Sequence, residues 1–304
     1  MKNRSTVPFR VSPMLATLVE EPFSKAGWVF EEKYDGVRML AYKEGPKVSL
    51  ISRNGIDRSG RYPTIAAEIA EVAAKTLLLD GEIVVFDSHE VSRFQLLQQG
   101  RGQVKYAVFD CLYENGRDLR REPLSLRRKT LEKVLKRGST ISIAKRLAED
   151  GVEAFEKATR LGLEGVIGKD SAASYSEGRS TSWLKVKINQ QEEFVIGGFT
   201  AATGSRHHFG ALLLGAYQGK KLRYAGKVGT GFNEQSLGSL YKRMKTLART
   251  TSPFSSDVNE KSATFVSPKL VAQIAFTEKT KEGKLRHPVY LGLRDDKSSR
   301  EVQQ

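Results

Sequence analysis

The sequence predicts an α+β chain of two domains, divided at residues 189 and 190. Three observations carry that reading. Short β-branched and aromatic runs recur before residue 190, separated by stretches with apolar residues at helical spacing. The length, 304 residues, exceeds what a single hydrophobic core usually organises. After residue 190 the composition changes to glycine-punctuated strands with one helix-like stretch.

Composition bounds the function classes. Hydrophobic content of 39% and a mean hydropathy of −0.41 describe a globular chain. No run approaches the ~18 apolar residues of a spanning helix. The start, Met1-Lys2-Asn3-Arg4-Ser5-Thr6-Val7-Pro8, lacks the apolar stretch of a secretion signal. A cytoplasmic location with no membrane partner is therefore expected. The single cysteine, Cys111, excludes an internal disulfide framework and a cysteine-based zinc site, and its apolar surroundings suit a buried structural thiol. Fifty Lys and Arg against 35 Asp and Glu give +15 and a pI near 9.8. The excess is denser from residue 190 onward, where 18 basic residues face 10 acidic ones. Nucleic acid fits that charge better than a merely solvated basic face.

Residues 28–32, 37–42 and 47–52 read as strands, with Glu44-Gly45-Pro46 as a loop and Ser52-Arg53-Asn54-Gly55 as a closing turn. Between the first two lies Glu31-Glu32-Lys33-Tyr34-Asp35-Gly36-Val37-Arg38. An unprotonated lysine amine can attack phosphorus or a carbonyl carbon. The glycine would permit a tight reversal and close backbone approach to a ligand. The same residue types also make an ordinary hairpin turn. Residues 63–75 read as a helix with Pro63 near its start. Residues 77–86 read as a strand pair interrupted by Asp80-Gly81-Glu82. A carboxylate in so apolar a run is expensive unless paired, hydrogen-bonded or metal-bound, or unless the chain turns there and leaves Glu82 wet.

Residues 106–112 form another strand, in which composition alone makes Phe109 a core residue. Residues 125–135 and 152–161 read as helices. Leu163-Glu164-Gly165-Val166-Ile167-Gly168-Lys169 again sets a carboxylate before glycine and a short strand. Trp183-Leu184-Lys185-Val186-Lys187 alternates, so both lysines share one face, either as a phosphate-binding wall or as an aggregation-deterring edge. Strands follow at 194–201, 209–218 and 222–228, then a helix at 234–248, a Ser/Thr-rich loop at 250–257, and apolar runs at 270–276 and 289–293. Several short strands with one helix fit a small barrel such as an OB-fold. His207-His208 read as a loop, and Arg294-Asp295-Asp296-Lys297 alone could be a solvated terminus.

In this order the pieces resemble the ATP-dependent DNA ligases of the covalent nucleotidyltransferase superfamily. Lys33 to Arg38 is similar to that family's nucleophile motif, and Ser52-Arg53-Asn54-Gly55, Asp80-Gly81-Glu82, Tyr106 to Asp110, Glu164-Gly165-Val166-Ile167, Trp183 to Lys187 and Arg294 to Lys297 resemble the six that follow. The resemblance runs from about residue 12 to 297. Its wording, as in Pro13-Met14-Leu15-Ala16 and Leu291-Gly292-Leu293-Arg294, resembles the ligase module of bacterial end-joining ligases most. It implies a nucleotidyltransferase (adenylation) domain of antiparallel sheets and helices over residues 1–189 and an OB-fold β-barrel domain over 190–304. The departure is that such modules are usually fused to polymerase or nuclease domains, and replicative ligases carry a large N-terminal DNA-binding domain. Here the nucleophile already stands at residue 33.

The roles below are what the resemblance implies. Lys33 attacks the ATP α-phosphate, AMP passes to a DNA 5′-phosphate, and a 3′-hydroxyl displaces AMP. Lys185, Lys187 and Mg²⁺ are expected to lower the Lys33 pKa from its usual ~10.4 and to stabilise charge on the phosphate. Glu82 and Glu164 are implied ligands of Mg²⁺ or Mn²⁺, with the ribose as an alternative for Glu82. Glu31 accepts from the adenine amino group, Phe109 stacks on adenine, and Asp35 organises the metal and the incoming hydroxyl. Arg294 and Lys297 serve the β- and γ-phosphates, and Arg38, Arg53 and Lys169 complete the nucleotide-binding set. The implied partners are nicked or broken duplex DNA and separately supplied end-joining proteins (polymerase, nuclease or end-binding), met by a monomer. An RNA ligase or an mRNA capping-type enzyme shares the lysine chemistry, and a non-catalytic OB-fold binding module shares the charge. Binding to nicked duplex should be largely electrostatic, so affinity titrated at several salt concentrations should fall linearly in log[salt]; a flat dependence would sink the idea.

Overall fold

The chain divides into two units, Met1–Asn189 and Gln190–Gln304. The structure, a computed structural model, describes residues 7–135, 138–188, 191–202, 207–280 and 282–303. Residues 189 and 190, where the sequence places the division, lie outside the described residues.

The first unit runs β1 (Met14–Leu18), β2 (Trp28–Glu32), β3 (Val37–Glu44), β4 (Lys47–Ser52), α1 (Pro63–Ala70), β5 (Thr76–Val85), α2 (Phe94–Gln98) and β6 (Val104–Glu114). It continues through β7 (Arg117–Asp118), α3 (Leu124–Val134), β8 (Ile141–Ile143), β9 (Arg146–Ala148), α4 (Gly151–Leu161), β10 (Gly165–Asp170) and β11 (Gly178–Lys187). One sheet has the order β4-β3-β5-β6-β7, with β8 also on β6; the other has the order β1-β11-β10-β2-β9. The first sheet is apolar on both faces. Met39 and Ala41 of β3, with Leu77, Leu79, Ile83 and Val85 of β5, pack with Ile65 and Ile69 of α1 and Leu131 of α3. Leu40 and Tyr42, with Leu78 and Val84, join Met14, Phe109 and Trp183 in a second core facing the other sheet. Period-two alternation therefore turns Arg38, Asp80 and Glu82 toward that second core as well. Cys111 is buried in the first core, as its apolar run suggested.

Several sequence expectations change. The strands flanking Lys33 lie in different sheets, so residues 33–36 cross between sheets and do not form a hairpin turn. Residues 76–85 form one continuous strand, not a pair turning at Asp80-Gly81-Glu82. The glycine serves packing: a Cβ at Gly81 would lie 2.5 Å from the Tyr106 ring and 2.6 Å from the Ala107 carbonyl oxygen. Gly36 likewise permits a close approach, but to the Ile83 carbonyl oxygen, 2.1 Å from where its Cβ would stand, and not to a ligand. α1 ends at Ala70, short of residue 75. β11 lies between β1 and β10, so it is not an edge strand.

The second unit contains β12 (Gln191–Thr200), β13 (Leu212–Gln218), β14 (Lys221–Val228), α5 (Glu234–Lys245), β15 (Ala248–Arg249), β16 (Ala263–Ala275), β17 (Glu278–Lys279), β18 (Leu285–Arg286) and β19 (Val289–Leu293). Its main sheet has the order β14-β13-β12-β16-β15, with β19 also on β16, and every pairing in it is antiparallel. Irregularities at Ile196/Gly198, Leu214/Gly215 and Gln273/Ile274 bend the strands, which curls the sheet around Phe194, Ile196, Leu212, Leu214, Leu240 and Met244. The apolar run at 270–276 is the end of the longer β16, which also pairs with β15. α5 starts at Asn233, whose side chain accepts from Ser236 N in a capping box, and stops at Lys245 before the expected residue 248.

Inside the first unit, Arg127 of α3 and Asp110 of β6 are fully buried and joined by two hydrogen bonds of 2.8 and 2.9 Å. Arg127 also donates through Nη1 to the carbonyls of Glu122 and Ala173. Asp110→Ala strands that guanidinium and should cost about 3–5 kcal/mol in urea unfolding, with Asp110→Ala plus Arg127→Leu recovering part of the loss. A loss in the double variant equal to the sum of the Asp110→Ala and Arg127→Leu losses would show that the pair is not coupled.

Candidate active site

Many of the residues the sequence singled out lie on or beside the strands of the two sheets of the first unit. Lys33 follows β2, and its backbone N–H donates to the Gly165 carbonyl at 3.0 Å. That bond ties the loop carrying Lys33 to the start of β10, next to Glu164. The Lys33 ammonium is hydrogen-bonded to the Glu164 carboxylate. The other end of the loop is pinned too: Asp35 N donates to Ser92 Oγ at 3.0 Å, and Asp35 Oδ2 accepts from Phe94 N at 3.1 Å. Burial works to lower the Lys33 pKa, but Glu164, with Asp35 and Glu82 behind it, more than offsets burial and holds the amine above the usual lysine range. The depression expected from Lys185, Lys187 and Mg²⁺ together does not arise from the protein's own side chains, among which Glu164 sets the direction.

Glu31, two residues before the lysine, is almost fully buried. One of its oxygens takes the Arg128 guanidinium of α3, and the other accepts from Lys169 Nζ at 2.7 Å. Lys169 is 2% exposed, with its ammonium 4.3 Å from the Phe109 ring centroid and 4.2 Å from that of Trp183. Burial holds Lys169 below the usual lysine range against the pull of Glu31 and Asp110. The direct nucleotide role expected for Lys169 does not match this position, because Phe109, Trp183 and Glu31 already enclose its ammonium. Arg38 is equally committed. It donates to both Asp80 oxygens at 2.6 Å and to the Met14 carbonyl at 3.1 Å, and its guanidinium carbon lies 4.5 Å from the Phe109 centroid. Tyr175 Oη adds a 2.7 Å donation to Asp80. Phe109 and Trp183 meet edge to face at 5.9 Å, an aromatic floor with two cations against it.

Glu82 lies on β5 opposite Arg38 and is partly buried. Lys185 and Lys187 lie opposite Ile167 and Gly165, on the face of β11 that carries Trp183. Arg53 sits in the turn after β4. Arg294 and Lys297 belong to the second unit and form a separate ionic cluster. Arg294, 8% exposed, donates to Asp296 at 2.9 and 2.8 Å, and Lys297 is paired with Glu193. That degree of burial excludes a purely solvated terminus. Among the described residues no group of three or more His, Cys, Asp or Glu forms a preformed metal cage.

Sequence reasoning missed Arg127, Arg128 and Asp110. A signal existed: Leu124, Arg127, Arg128 and Leu131 fall at i, i+3, i+4 and i+7, so both arginines share the apolar stripe of α3. Asp110 was legible by the argument applied to Glu82, a carboxylate within an apolar strand.

Glu32, on the other side of β2, is 5% exposed, and its Oε1 has no hydrogen-bond partner. Burial raises its pKa from 4.5 to about 7, with Glu90 adding to the rise and Lys145 opposing it. The folded state thus binds a proton that the unfolded state releases, and stability falls as pH rises from 4.5 to about 7. Glu32→Gln should remove that slope and gain on the order of 1–3 kcal/mol at pH 8, read from urea unfolding at pH 5 and pH 8. An unchanged slope would exclude Glu32 as its source.

The ATP dependent DNA ligase domain model matches residues 13–187, and the ATP dependent DNA ligase C terminal region model matches residues 205–297. The multifunctional non-homologous end joining protein LigD of Pseudomonas aeruginosa is 39% identical over 98% of this chain and 37% of its own length. A DNA ligase of Thermococcus fumicolans is 31% identical over 99% of this chain and 58% of its own length. The chain spans about two fifths of the length of the end-joining relatives it matches. A structure of mycobacterial DNA ligase D complexed with ATP and MES superposes with a TM-score of 0.73 at 36% identity, over 98% of this chain and 100% of that one. The ligase domain of the Mycobacterium tuberculosis LigD gives 0.55 at 37% identity, over 98% and 100%.

Proposed function

The chain belongs to the ATP-dependent DNA ligases, with the nucleotidyltransferase and OB-fold pair as its fold, and from that membership we propose that it seals 5′-phosphate/3′-hydroxyl breaks in duplex DNA through a lysyl-AMP on Lys33. One observation carries the reading: the Lys33 ammonium is hydrogen-bonded to Glu164 beside β10, the strand that lies between β2, which leads to Lys33, and β11, which carries Lys185 and Lys187. In the first step the Lys33 nitrogen forms a bond to the ATP α-phosphorus, the bond from that phosphorus to the bridging oxygen breaks, and pyrophosphate leaves. Phe109 offers its ring to adenine. Lys185 and Lys187 stabilise the charge that develops on the transferring phosphate. AMP then passes to the DNA 5′-phosphate, and the 3′-hydroxyl displaces it. Glu31 holds Lys169 and Arg128 and thereby fixes the floor, while a free lone pair remains for the adenine amino group.

Glu164, in contact with the Lys33 ammonium, and Glu82 are hard oxygen donors that fit Mg²⁺ or Mn²⁺, which typically takes one or two carboxylates and completes its shell with water and phosphate. A bound divalent ion supplies positive charge that competes with Lys33 for these carboxylates and favours the free amine.

The end-joining relatives support a role in DNA repair. No described helix is long and apolar enough to cross a membrane, and a DNA substrate favours work in the cytoplasm, at the nucleoid.

Lys33→Ala should abolish the AMP adduct seen when intact protein is weighed after incubation with ATP and Mg²⁺, while the unfolding midpoint stays within the range of a folded protein. An adduct of undiminished yield on the variant would refute the assignment.

A further inference from the structure

Tyr175 belongs to no motif that the sequence singled out, yet its side chain ends on the charges that hold the aromatic floor. It follows β10, and its backbone N–H donates to the Arg120 carbonyl at 2.8 Å. Its ring is buried and meets Trp183 edge to face at 6.1 Å. Its hydroxyl accepts from Met14 N at 2.9 Å and donates to Asp80 Oδ2 at 2.7 Å. Arg38 Nη2 donates to that same Asp80 oxygen at 2.6 Å and to the Met14 carbonyl at 3.1 Å. These bonds close a ring through Arg38, Met14, Tyr175 and Asp80. β1 is the outermost strand of its sheet, so backbone groups on its open side need partners. At Met14, Tyr175 and Arg38 supply them. Burial, with Asp80 adding to it, holds the Tyr175 phenol well above its usual range, so the hydroxyl keeps the proton it gives to Asp80. Each bond in such a ring strengthens the next, and the guanidinium it holds lies 4.5 Å from the Phe109 centroid.

We propose that Tyr175 is a positioning residue for self-adenylation: its hydroxyl braces Asp80 and, through Asp80, the Arg38 guanidinium against Phe109, so that the ring is set for adenine before ATP arrives. This rests on the reading of Phe109 as the ring that meets adenine. Tyr175 acts on the nucleotide only through Arg38 and Phe109. Without the hydroxyl, Arg38 keeps its fork on Asp80, but Asp80 loses its tie to Tyr175 and Met14 N loses its acceptor. The pair can then shift together, and the cost of ordering the floor falls on ATP binding. The adenine contact is the same in the ground state and the transition state, so the loss appears in KM and spares kcat.

The test is a double-mutant cycle of Tyr175→Phe and Phe109→Ala, scored by the ATP KM and kcat of self-adenylation on the full chain. Tyr175→Phe removes only the hydroxyl and should raise KM about fivefold, the order of one net hydrogen bond, with kcat changed by less than about twofold. The rise should vanish in the Phe109→Ala background. A KM unchanged in Tyr175→Phe, with Phe109→Ala still raising it, overturns the proposal alone, as do additive effects in the double variant. A KM insensitive to Phe109→Ala overturns the adenine reading beneath it, and the proposal falls with it. Ile69→Val, in the other core of the unit, lowers stability without touching the ring of bonds. An equal KM rise there, at an equal drop in melting temperature, would make Tyr175 merely structural and overturn the proposal. Should Tyr175→Phe fail to fold, Arg38→Lys opens the ring from its other side, because lysine lacks the fork. Its KM rise must likewise vanish with Phe109→Ala, or the proposal falls.

Discussion

Charge buried between two sheets has to be paired, and that constraint shapes the first unit. A sheet apolar on both faces would ordinarily exclude Arg38, Asp80 and Glu82 from its inner side. An uncompensated charge there costs several kcal/mol. The fold meets the requirement by bringing opposite charges from separate elements: Asp80 to Arg38, Glu31 to Arg128 and Lys169, and Asp110 to Arg127. Each pair ties one element to another, so the charges that line the gap also set its geometry. The aromatic floor depends on the same pairs, because Lys169 and Arg38 approach Phe109 only while Glu31 and Asp80 hold them.

The same constraint governs the nucleophile. Lys33 is stored as an ammonium by the carboxylates around it. The loop cannot drift, since Lys33 N, Asp35 N and Asp35 Oδ2 are each tied to a different neighbour. Rigid anchoring of this kind keeps an attacking atom near a productive geometry.

The second unit treats its cations by a related rule. Arg294 is buried and needs the bidentate Asp296, whereas the partly exposed Lys297 is held by a carboxylate that solvent can also reach.

Much was legible in the sequence. The period-two runs, the change of composition near residue 190 and the ordered motifs determined the α+β class, the barrel-like second unit and the family, because these depend on residue type and local spacing. Tertiary structure alone decided the rest. Whether residues 33–36 turn within a hairpin or cross between sheets depends on which strands pair, and local composition is silent on that. Whether Asp80-Gly81-Glu82 turns or continues depends on Tyr106, which fills the space a side chain at residue 81 would need. The sign of the Lys33 shift depends on the distance to Glu164, 131 residues away in the chain. A pKa is set by neighbours in space, and sequence spacing cannot rank three carboxylates against two lysines until the fold has placed them.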